Sequence, residues 1–308
     1  MKNILYGHAI LFALSLAIFS QTISPPPAQS IPVWTPPPSR EKAKTPFSPK
    51  PIAGDNIFKG EAEGWLADAI INLEIGTLTP IKDKEISDYV SLLGQNLVKF
   101  SREPAKKFEF IVLPSHEENA FSIGGGRIYI YLGLLQEVES EDELAAILAH
   151  EIGHDIFGHA PKTVTRQMFW LTGTRKVTTP KETEKALRDL LAAFEKNTLA
   201  AIGESLLGWS RFSELEADKA GFYNMYKAGY NPEAMKNVFR RFVSTEKADA
   251  GEDYANEYFL TLLFGSHPPS SQRVTALKWE SNWVKMPKKE EAYKNEAFDA
   301  MKARVAKM

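Results

Sequence analysis

The stretch "AILAHEIGHDIFGHA", residues Ala146–Ala160, holds three of the six histidines of the chain and decides how the rest of the sequence is interpreted. Ser140, with Glu143 three residues later, forms a capping box, which predicts that a helix begins at this point. We expect the helix to run to about His159 and to end at Pro161, because proline cannot continue a helix interior.

Within this stretch, His150, Glu151 and His154 spell the pattern H-E-x-x-H. Residues four apart on a helix lie about 40° apart around its axis and one turn apart along it, so both imidazoles face the same point. This spacing supplies two nitrogen ligands for zinc, and Glu151 is placed to act as a general base on a water at the metal. The alternative is a charged helix surface, but apolar residues and small residues such as Ala149 and Gly153 predict a buried helix that another element approaches closely.

The third metal ligand is not expected to be His159. It lies nine residues after His150, which is about 180° around a continuous helix. The longer pattern H-E-x-x-H-x-x-G-x-x-H is also absent, because Phe157 stands where that pattern has glycine. We therefore expect His159 to cap the helix end or to hydrogen-bond behind the metal ligands.

A carboxylate of "SRFSELEAD", residues Ser210–Asp218, is the better candidate for the third ligand. Asp218 follows Glu214 by four residues, so the two share a helix face, whereas Glu216 points the other way. With Glu214 as ligand, Asp218 is placed to accept the free ring N–H of a metal-bound histidine. Arg211 lies on the same face and is expected to pair with a carboxylate.

Composition narrows the class of protein. The chain has no cysteine, which excludes disulfides, thiolate metal sites and cysteine nucleophiles. The net charge of −2 argues against nucleic-acid binding.

The apolar run "AILFALSLAIFS", Ala9–Ser20, follows Lys2 and predicts a signal peptide over residues 1–24, with an uncleaved membrane anchor as the alternative. Both place the protein outside the cytoplasm, either in the periplasm or associated with the membrane on its extracytoplasmic side, and peripheral membrane association is one expectation.

Three further regions follow the signal peptide. Residues 25–55 are rich in proline and predict an extended linker, with a segment that binds a proline-recognising partner as the alternative. Residues 56–285 predict the folded domain, and residues 286–308 a charged C-terminal helix or tail. The fold class expected is α+β, mainly helical, with a small antiparallel sheet beside the active-site helix, built from "KFEFIVLP" and "RIYIYL".

Several motifs together resemble a known family. "DELAAILAHEIGHDIFGHA", then "SRFSELEAD", then "SHPPSSQR" occur in the order found in the zinc metallopeptidases of the HtpX and CAAX-prenyl-protease family, which is peptidase family 48 of the metallo class. The upstream "NAFSIGGGRIYIYLGLL" resembles the edge strand of that family. The resemblance covers roughly residues 60–280. It is closest to a compact, exported, periplasmic branch without multiple transmembrane helices or C-terminal helical repeats.

The resemblance implies roles for individual residues. His150, His154 and Glu214 would bind one zinc ion per chain, Glu151 would be the catalytic base, and Asp218 would orient a ligand. His267 would gate the site or assist catalysis, with a merely structural role as the alternative, and Arg273 would anchor the same loop. The expected substrate-cleft residues are Asn119, Ala120, Phe121, Gly125, Arg127 and Tyr129.

The expected activity is hydrolysis of peptide bonds in unfolded or misfolded envelope proteins, bound in extended form against "RIYIYL" as an edge strand. Two alternatives stay open from the sequence. One is a chaperone or scaffold that keeps zinc without proteolysis, and the other is an amidase that acts on cell-wall peptides. The sequence predicts no particular oligomeric state.

Overall fold

The structure is a computed structural model that describes residues 30–43, 55–75, 79–196, 211–240, 271–285 and 295–308. The expected signal peptide and His267 lie outside the described residues. Helices make up most of the described chain, and none of them is both long and apolar enough to span a membrane. In chain order the helices are α1 (Glu61–Ile70, extended by a π-helical turn at Ile71–Ile75), α2 (Lys84–Lys99), α3 (Leu132–Glu137), α4 (Glu141–Ile156), α5 (His159–Thr172), α6 (Pro180–Lys196), α7 (Arg211–Ala228), α8 (233–240), α9 (Ser271–Ser281) and α10 (Glu296–Val305).

A three-stranded sheet lies between these helices. Its strands are β1 (Glu109–Leu113), β2 (Ala120–Ser122) and β3 (Arg127–Tyr131), and their spatial order is β1-β3-β2. β3 pairs with β1 in parallel and with β2 in antiparallel orientation. The α+β class is therefore confirmed, with a sheet that is mixed rather than purely antiparallel.

The two faces of the sheet pack against different helices because successive side chains of a strand point to opposite sides. Phe110, Ile128 and Ile130 belong to a core that includes residues of α2, α4 and α7. Phe121 and Tyr129 belong to a second core with residues of α1, α5 and α6. The sheet thus separates α4 from the core that it forms with α1, α5 and α6.

Helix α4 begins where the sequence predicts and ends earlier. The Ser140 hydroxyl accepts a hydrogen bond from the backbone N–H of Glu143 at 3.2 Å, as an N-cap residue does. The helix ends at Ile156, and Gly158 takes a left-handed conformation with φ of 62°. A new helix, α5, starts at His159, and Pro161 lies in its first turn, where its missing N–H costs nothing. The prediction that one helix continues to His159 is wrong.

Helices α4 and α7 lie in close contact, as the small residues of α4 predict. A Cβ atom added to Gly153 would lie 3.1 Å from both Cα and the carbonyl oxygen of Ala217. Both obstacles are backbone atoms, so the two helices could accept a larger side chain only by moving apart. The short distance between α4 and α7 determines which side chains of the two helices come into contact.

Gly153→Ala is expected to lower the free energy of unfolding by about 1–3 kcal/mol, because the added methyl group overpacks the α4–α7 contact. The matched control is Gly64→Ala in α1, where an added Cβ meets nothing within 4 Å. The control is expected to be neutral or to stabilise by up to about 1 kcal/mol, since alanine favours helix. Urea unfolding of both variants measures the difference, and equal stabilities would contradict close packing at Gly153.

Residues 30–43, here called the N-terminal strap, belong to the segment expected to be an extended linker. They contain no helix or strand but lie against the domain. The backbone N–H of Ile31 donates to Glu85, and the Trp34 indole N–H donates to Glu141. Arg40 donates to the carbonyl oxygens of Tyr226 and Tyr230 at the end of α7. The N-terminal strap, which is the described part of the expected linker, thus lies against the domain.

The C-terminal region expected as a charged helix or tail contains α10. The apolar side chains of Phe298, Met301 and Val305 are buried in the core shared with α2 and α4. Arg304 forms a buried ion pair with Asp83, the N-cap residue of α2, with 2.6 Å between Nε and Oδ2. The end of the described chain is thus part of the packed domain.

The strap contact at Glu141 predicts a dependence of stability on pH. Burial raises the pKa of Glu141 from 4.5 to about 7, although the Tyr89 and Trp34 side chains donate hydrogen bonds to it. The folded protein therefore binds a proton that the unfolded chain has lost between these pH values, so this group contributes stability that falls as pH rises from about 4.5 to about 7. The expected loss is up to about 3 kcal/mol.

Urea unfolding at pH 5 and pH 8 checks this for the unchanged protein and for Glu141→Gln. Glutamine cannot lose a proton, so the variant should lose less stability than the unchanged protein over this range. The same pH dependence in both proteins would contradict a raised pKa at Glu141.

Candidate metal centre

Three side chains from two helices converge at the centre of the domain. His150 and His154 lie one turn apart on α4, with 3.0 Å between their Nε2 atoms. Glu214 on α7 places its carboxylate oxygens 3.5 Å from His150 Nε2 and 3.4 Å from His154 Nε2. All three residues are buried. The structure thus brings together the three residues that the sequence predicts as ligands.

These atoms have the chemistry and spacing that a metal ion requires. Four ligands arranged tetrahedrally about 2.0–2.1 Å from zinc lie about 3.3 Å from one another. The three separations in this cluster are 3.0, 3.4 and 3.5 Å. Burial also lowers the pKa of His154 well below its usual value, so its ring is neutral and keeps a lone pair. The cluster could therefore hold a metal ion, and its two imidazoles and one carboxylate are a donor set that zinc accepts.

Asp218 lies behind His150, one turn along α7 from Glu214. Its Oδ1 is 2.9 Å from His150 Nδ1, the ring nitrogen that faces away from the cluster. Glu214 and Asp218 thus share the helix face that the sequence predicts. A carboxylate at this position can hold the histidine with its proton on Nδ1 and its Nε2 lone pair toward a metal.

Arg273 of α9 joins both carboxylates. It donates from Nε and Nη2 to the two oxygens of Asp218, at 2.7 and 2.6 Å, and its Nη1 lies 3.0 Å from Glu214. The guanidinium stands over the Phe239 ring, and the residue is only 1% exposed. Burial lowers the pKa of Arg273, but the charges of Asp218 and Glu214 outweigh burial and raise it overall. The sequence predicts that Arg273 anchors a loop, whereas the structure places it against the candidate ligand Glu214.

His159 and Glu216, which the sequence sets aside, lie together beside His154. The Nδ1 atoms of His159 and His154 are 2.9 Å apart, and His159 Nε2 is 3.1 Å from Glu216 Oε2. His159 would lie about 180° around the axis from His150 only if α4 continued, but the helix breaks at Gly158 and α5 starts at His159. The expectation of a hydrogen bond behind the ligands does describe its position.

Glu151 follows His150 directly on α4 and is 1% exposed. It is close enough to Arg273 to raise the pKa of the guanidinium. The structure therefore places a carboxyl group beside the candidate ligands, inside the protein. Its role as a general base stays a prediction.

The expected substrate cleft needs correction. The "RIYIYL" segment contains β3, which is paired on both sides and cannot serve as an edge strand. The edge of the sheet nearest α4 is instead β2, which carries Ala120 and Phe121. Asn119, just before β2, accepts a hydrogen bond from the backbone N–H of Tyr131 through its carbonyl oxygen.

The remaining cleft residues point elsewhere. Phe121 and Tyr129 stack with 5.2 Å between ring centroids on the sheet face that contacts α1, α5 and α6. Arg127 pairs with Asp68 of α1. An added Cβ on Gly125, in the turn before β3, would meet the backbone of Gly64 at 3.2 Å. These side chains therefore belong to the packing around α1.

Asp155 is a residue that sequence reasoning did not select. Its Oδ2 accepts hydrogen bonds from the Ser122 hydroxyl and from the backbone N–H of Gly126, at 3.1 and 2.9 Å. Its Oδ1 lies 2.6 Å from the Lys106 amine, and the carboxylate has no exposed surface. Asp155 thereby fixes β2 and the following turn against α4, one residue after His154.

A comparison with known protein families identifies the family of this chain. Peptidase family M48 matches residues 85–281, which span α2 to α9 and all the candidate ligands. The chain belongs to peptidase family M48. The family predicted from the sequence motifs is therefore confirmed, and so is its class, a metallopeptidase.

Similar M48 proteins occur in bacteria and in mitochondria. A putative beta-barrel assembly-enhancing protease of Vibrio cholerae is 28% identical over 215 residues, which cover 68% of this chain and 42% of that protein. The beta-barrel assembly-enhancing protease of Escherichia coli is 24% identical over 196 residues, which cover 62% and 39%. The mitochondrial metalloendopeptidase OMA1 of Schizosaccharomyces pombe is 30% identical over 191 residues, which cover 62% and 51%. The matched region thus spans about half of each relative or less.

For two predicted site residues the structure describes no side chain. His267 falls in the interval 241–270, outside the described residues. Arg211 is the first residue of α7, but its side chain is not described. The roles expected for both stay predictions.

Proposed function

We propose that this M48 protein is a zinc-dependent metalloendopeptidase that hydrolyses peptide bonds in unfolded or misfolded envelope proteins. The observation that carries the proposal is the convergence of His150, His154 and Glu214, with Glu151 on the same helix. A purely structural zinc site has no need of a general base, so a glutamate next to His150 that is not one of the three ligands favours a catalytic site. The family match supports the same reaction class.

One zinc ion per chain would be held by His150, His154 and Glu214. Zinc supplies a Lewis acid that lowers the pKa of water and polarises the scissile carbonyl group. The three ligands are already gathered by helix packing and by Arg273, so binding requires little reorganisation of the protein.

Glu151 is the proposed general base. Its carboxylate accepts a proton from the water that attacks the scissile carbonyl carbon, and it then delivers this proton to the leaving amine nitrogen. The carbon–nitrogen bond breaks as the nitrogen becomes an amine. Asp218 holds His150 in the required orientation, and Arg273 holds Asp218 and Glu214 in turn.

The proposed substrate is an extended chain segment that lies along β2, the edge strand nearest α4. Main-chain hydrogen bonds to an edge strand accept many sequences but require an unfolded segment. The Asp155 contacts to Ser122 and Gly126 support this assignment because they hold β2 at a fixed distance from the metal ligands. Asn119, Ala120 and Phe121 would contribute backbone groups to this cleft.

The proposed location is the periplasm or the outer side of a membrane, with peripheral membrane association. The apolar segment Ala9–Ser20 supports export. The names of the bacterial relatives, which describe enhanced assembly of beta-barrels, support envelope proteins as the substrate class. Nucleic acid is not an expected partner, given the net charge of −2.

Digestion of one protein in its folded and its permanently unfolded form tests the proposal. The unfolded form should be cleaved at internal peptide bonds, and the folded form should resist. Removal of metal with a chelator should stop cleavage, and one equivalent of zinc should restore it. Zinc binding with retention of the unfolded protein but no cleavage would instead indicate a chaperone, and cleavage confined to cell-wall peptides would indicate an amidase.

A further inference from the structure

A second chain of polar groups reaches the candidate metal centre from behind His154. His159 lies between His154 and Glu216, at 2.9 Å from Nδ1 of the former and 3.1 Å from Oε2 of the latter. Both His159 and Glu216 are buried, at 4% and 8% exposure. Burying a histidine and a glutamate is costly unless each is hydrogen-bonded, and this arrangement satisfies both.

The order of donors follows from the chemistry of the last group. A carboxylate only accepts hydrogen bonds, so Glu216 requires His159 to carry its proton on Nε2. The Nδ1 atom of neutral His159 is then an acceptor. Its partner, Nδ1 of His154, must therefore be the donor, which leaves the lone pair of His154 on Nε2, the atom that faces His150 and Glu214.

We propose that Glu216 and His159 are positioning residues that fix the tautomer of His154 and hold its Nε2 toward the metal. This inference rests on the proposed zinc site. It also explains why two residues outside the H-E-x-x-H pattern are buried beside it. His150 has the equivalent support from Asp218 directly, so each histidine ligand has a carboxylate behind it, in one case through an intervening imidazole.

The geometry separates this role from that of a fourth metal ligand. The two ring nitrogens of His159 face His154 Nδ1 and Glu216, and His154 Nδ1 lies on the opposite side of its ring from Nε2. His159 is therefore behind the ligand ring, away from the point where the three ligand atoms converge. Its effect on the metal has to pass through His154.

The α7 helix explains how both carboxylates reach their places. Glu216 lies two residues from both Glu214 and Asp218, so it points to a different side of the helix, about 200° around the axis from Glu214. That side faces the start of α5, where His159 is the first residue. The helix break at Gly158 returns the chain toward α7 and brings His159 between the two helices.

Zinc affinity of the full chain tests the inference by competition with a chromophoric chelator. Glu216→Gln and His159→Leu are expected to weaken zinc binding by about 10- to 100-fold, the usual effect of removing a group that orients a histidine ligand. His159→Asn places an amide oxygen near the position of Nδ1 and should bind more tightly than His159→Leu. Glu141→Gln is the control, because it removes another buried carboxyl group from the far end of α4 and should bind zinc as the unchanged protein does.

A spectroscopic measurement separates positioning from a general loss of structure. Long-range ¹H–¹⁵N correlation spectra of the metal-free protein report which nitrogen of each imidazole carries the proton. The unchanged protein should show His154 protonated on Nδ1, and Glu216→Gln should show a mixture of tautomers. Folding of every variant is verified by circular dichroism.

The outcomes are distinct. If the unchanged protein binds no zinc at His150, His154 and Glu214, the proposed function fails. If it binds zinc, but Glu216→Gln and His159→Leu are folded, bind zinc as tightly and leave the His154 tautomer unchanged, the positioning role is overturned while the proposed function stands.

Discussion

Glu151→Gln is expected to reduce hydrolysis of an unfolded protein by about 10²–10⁴-fold, the usual contribution of a general base. Glutamine has nearly the same shape as glutamate but cannot accept the proton of the attacking water. Because Glu151 is not among the three converging ligands, the variant should bind one zinc per chain as the unchanged protein does. Initial rates of peptide-bond cleavage, together with the metal content of the same samples, provide the measurement.

The matched control for this variant is Glu143→Gln. Glu143 is also a buried glutamate of α4, located two turns before Glu151, and it accepts a hydrogen bond from the backbone N–H of Glu139. The amide oxygen of glutamine can keep that bond, so the control should retain its activity. If Glu151→Gln cleaves as fast as the control, Glu151 is not the base. If Glu151→Gln, Glu143→Gln and the unchanged protein are all inactive with zinc bound, the endopeptidase proposal itself fails.

The sequence predicts the part of the site in which the residues lie within about one turn of each other on the same helix. His150, Glu151 and His154 lie within five residues, and Glu214 and Asp218 are separated by one turn. Their relative directions follow from the geometry of a helix, whatever the rest of the fold does. This is why a face assignment made without a structure agrees with the contacts observed between α4 and α7.

The sequence misplaces residues whose position in the fold depends on where a helix ends, or on contacts between residues that are far apart in the chain. Gly158, a residue type that often terminates helices, was a signal that α4 ends before His159. The pairing of β3 on both sides depends on β1, which no local pattern reveals. Arg273 and Asp218 are 55 residues apart, and Trp34 and Glu141 are 107 residues apart. Such contacts become visible only when the helices are packed.

Arg273→Leu is expected to lower the free energy of unfolding by about 3–5 kcal/mol, because it leaves buried carboxylates without their cation. Asp218 loses two charge-assisted hydrogen bonds, and Glu214 loses an ion pair. The two buried carboxylates would then repel each other without a cation between them. Because Glu214 and Asp218 lose their common anchor, zinc should bind the variant more weakly, so the loss should be larger with zinc present than in the metal-free protein. Urea unfolding with and without zinc gives both values.

A second buried arginine shows how much of this effect belongs to the site. Arg304 pairs with Asp83 at 2.6 Å and lies 3.6 Å from Glu85, between α10 and the start of α2. Arg304→Leu should therefore destabilise the protein without changing its zinc affinity, whereas Arg273→Leu should weaken zinc binding as well, since Glu214 and Asp218 lose their common anchor. Because zinc binds the folded protein, the stability gained from a given zinc concentration should be smaller for Arg273→Leu than for Arg304→Leu. An equal gain in the two variants would show that Arg273 supports the fold alone and does not hold the metal ligands in place.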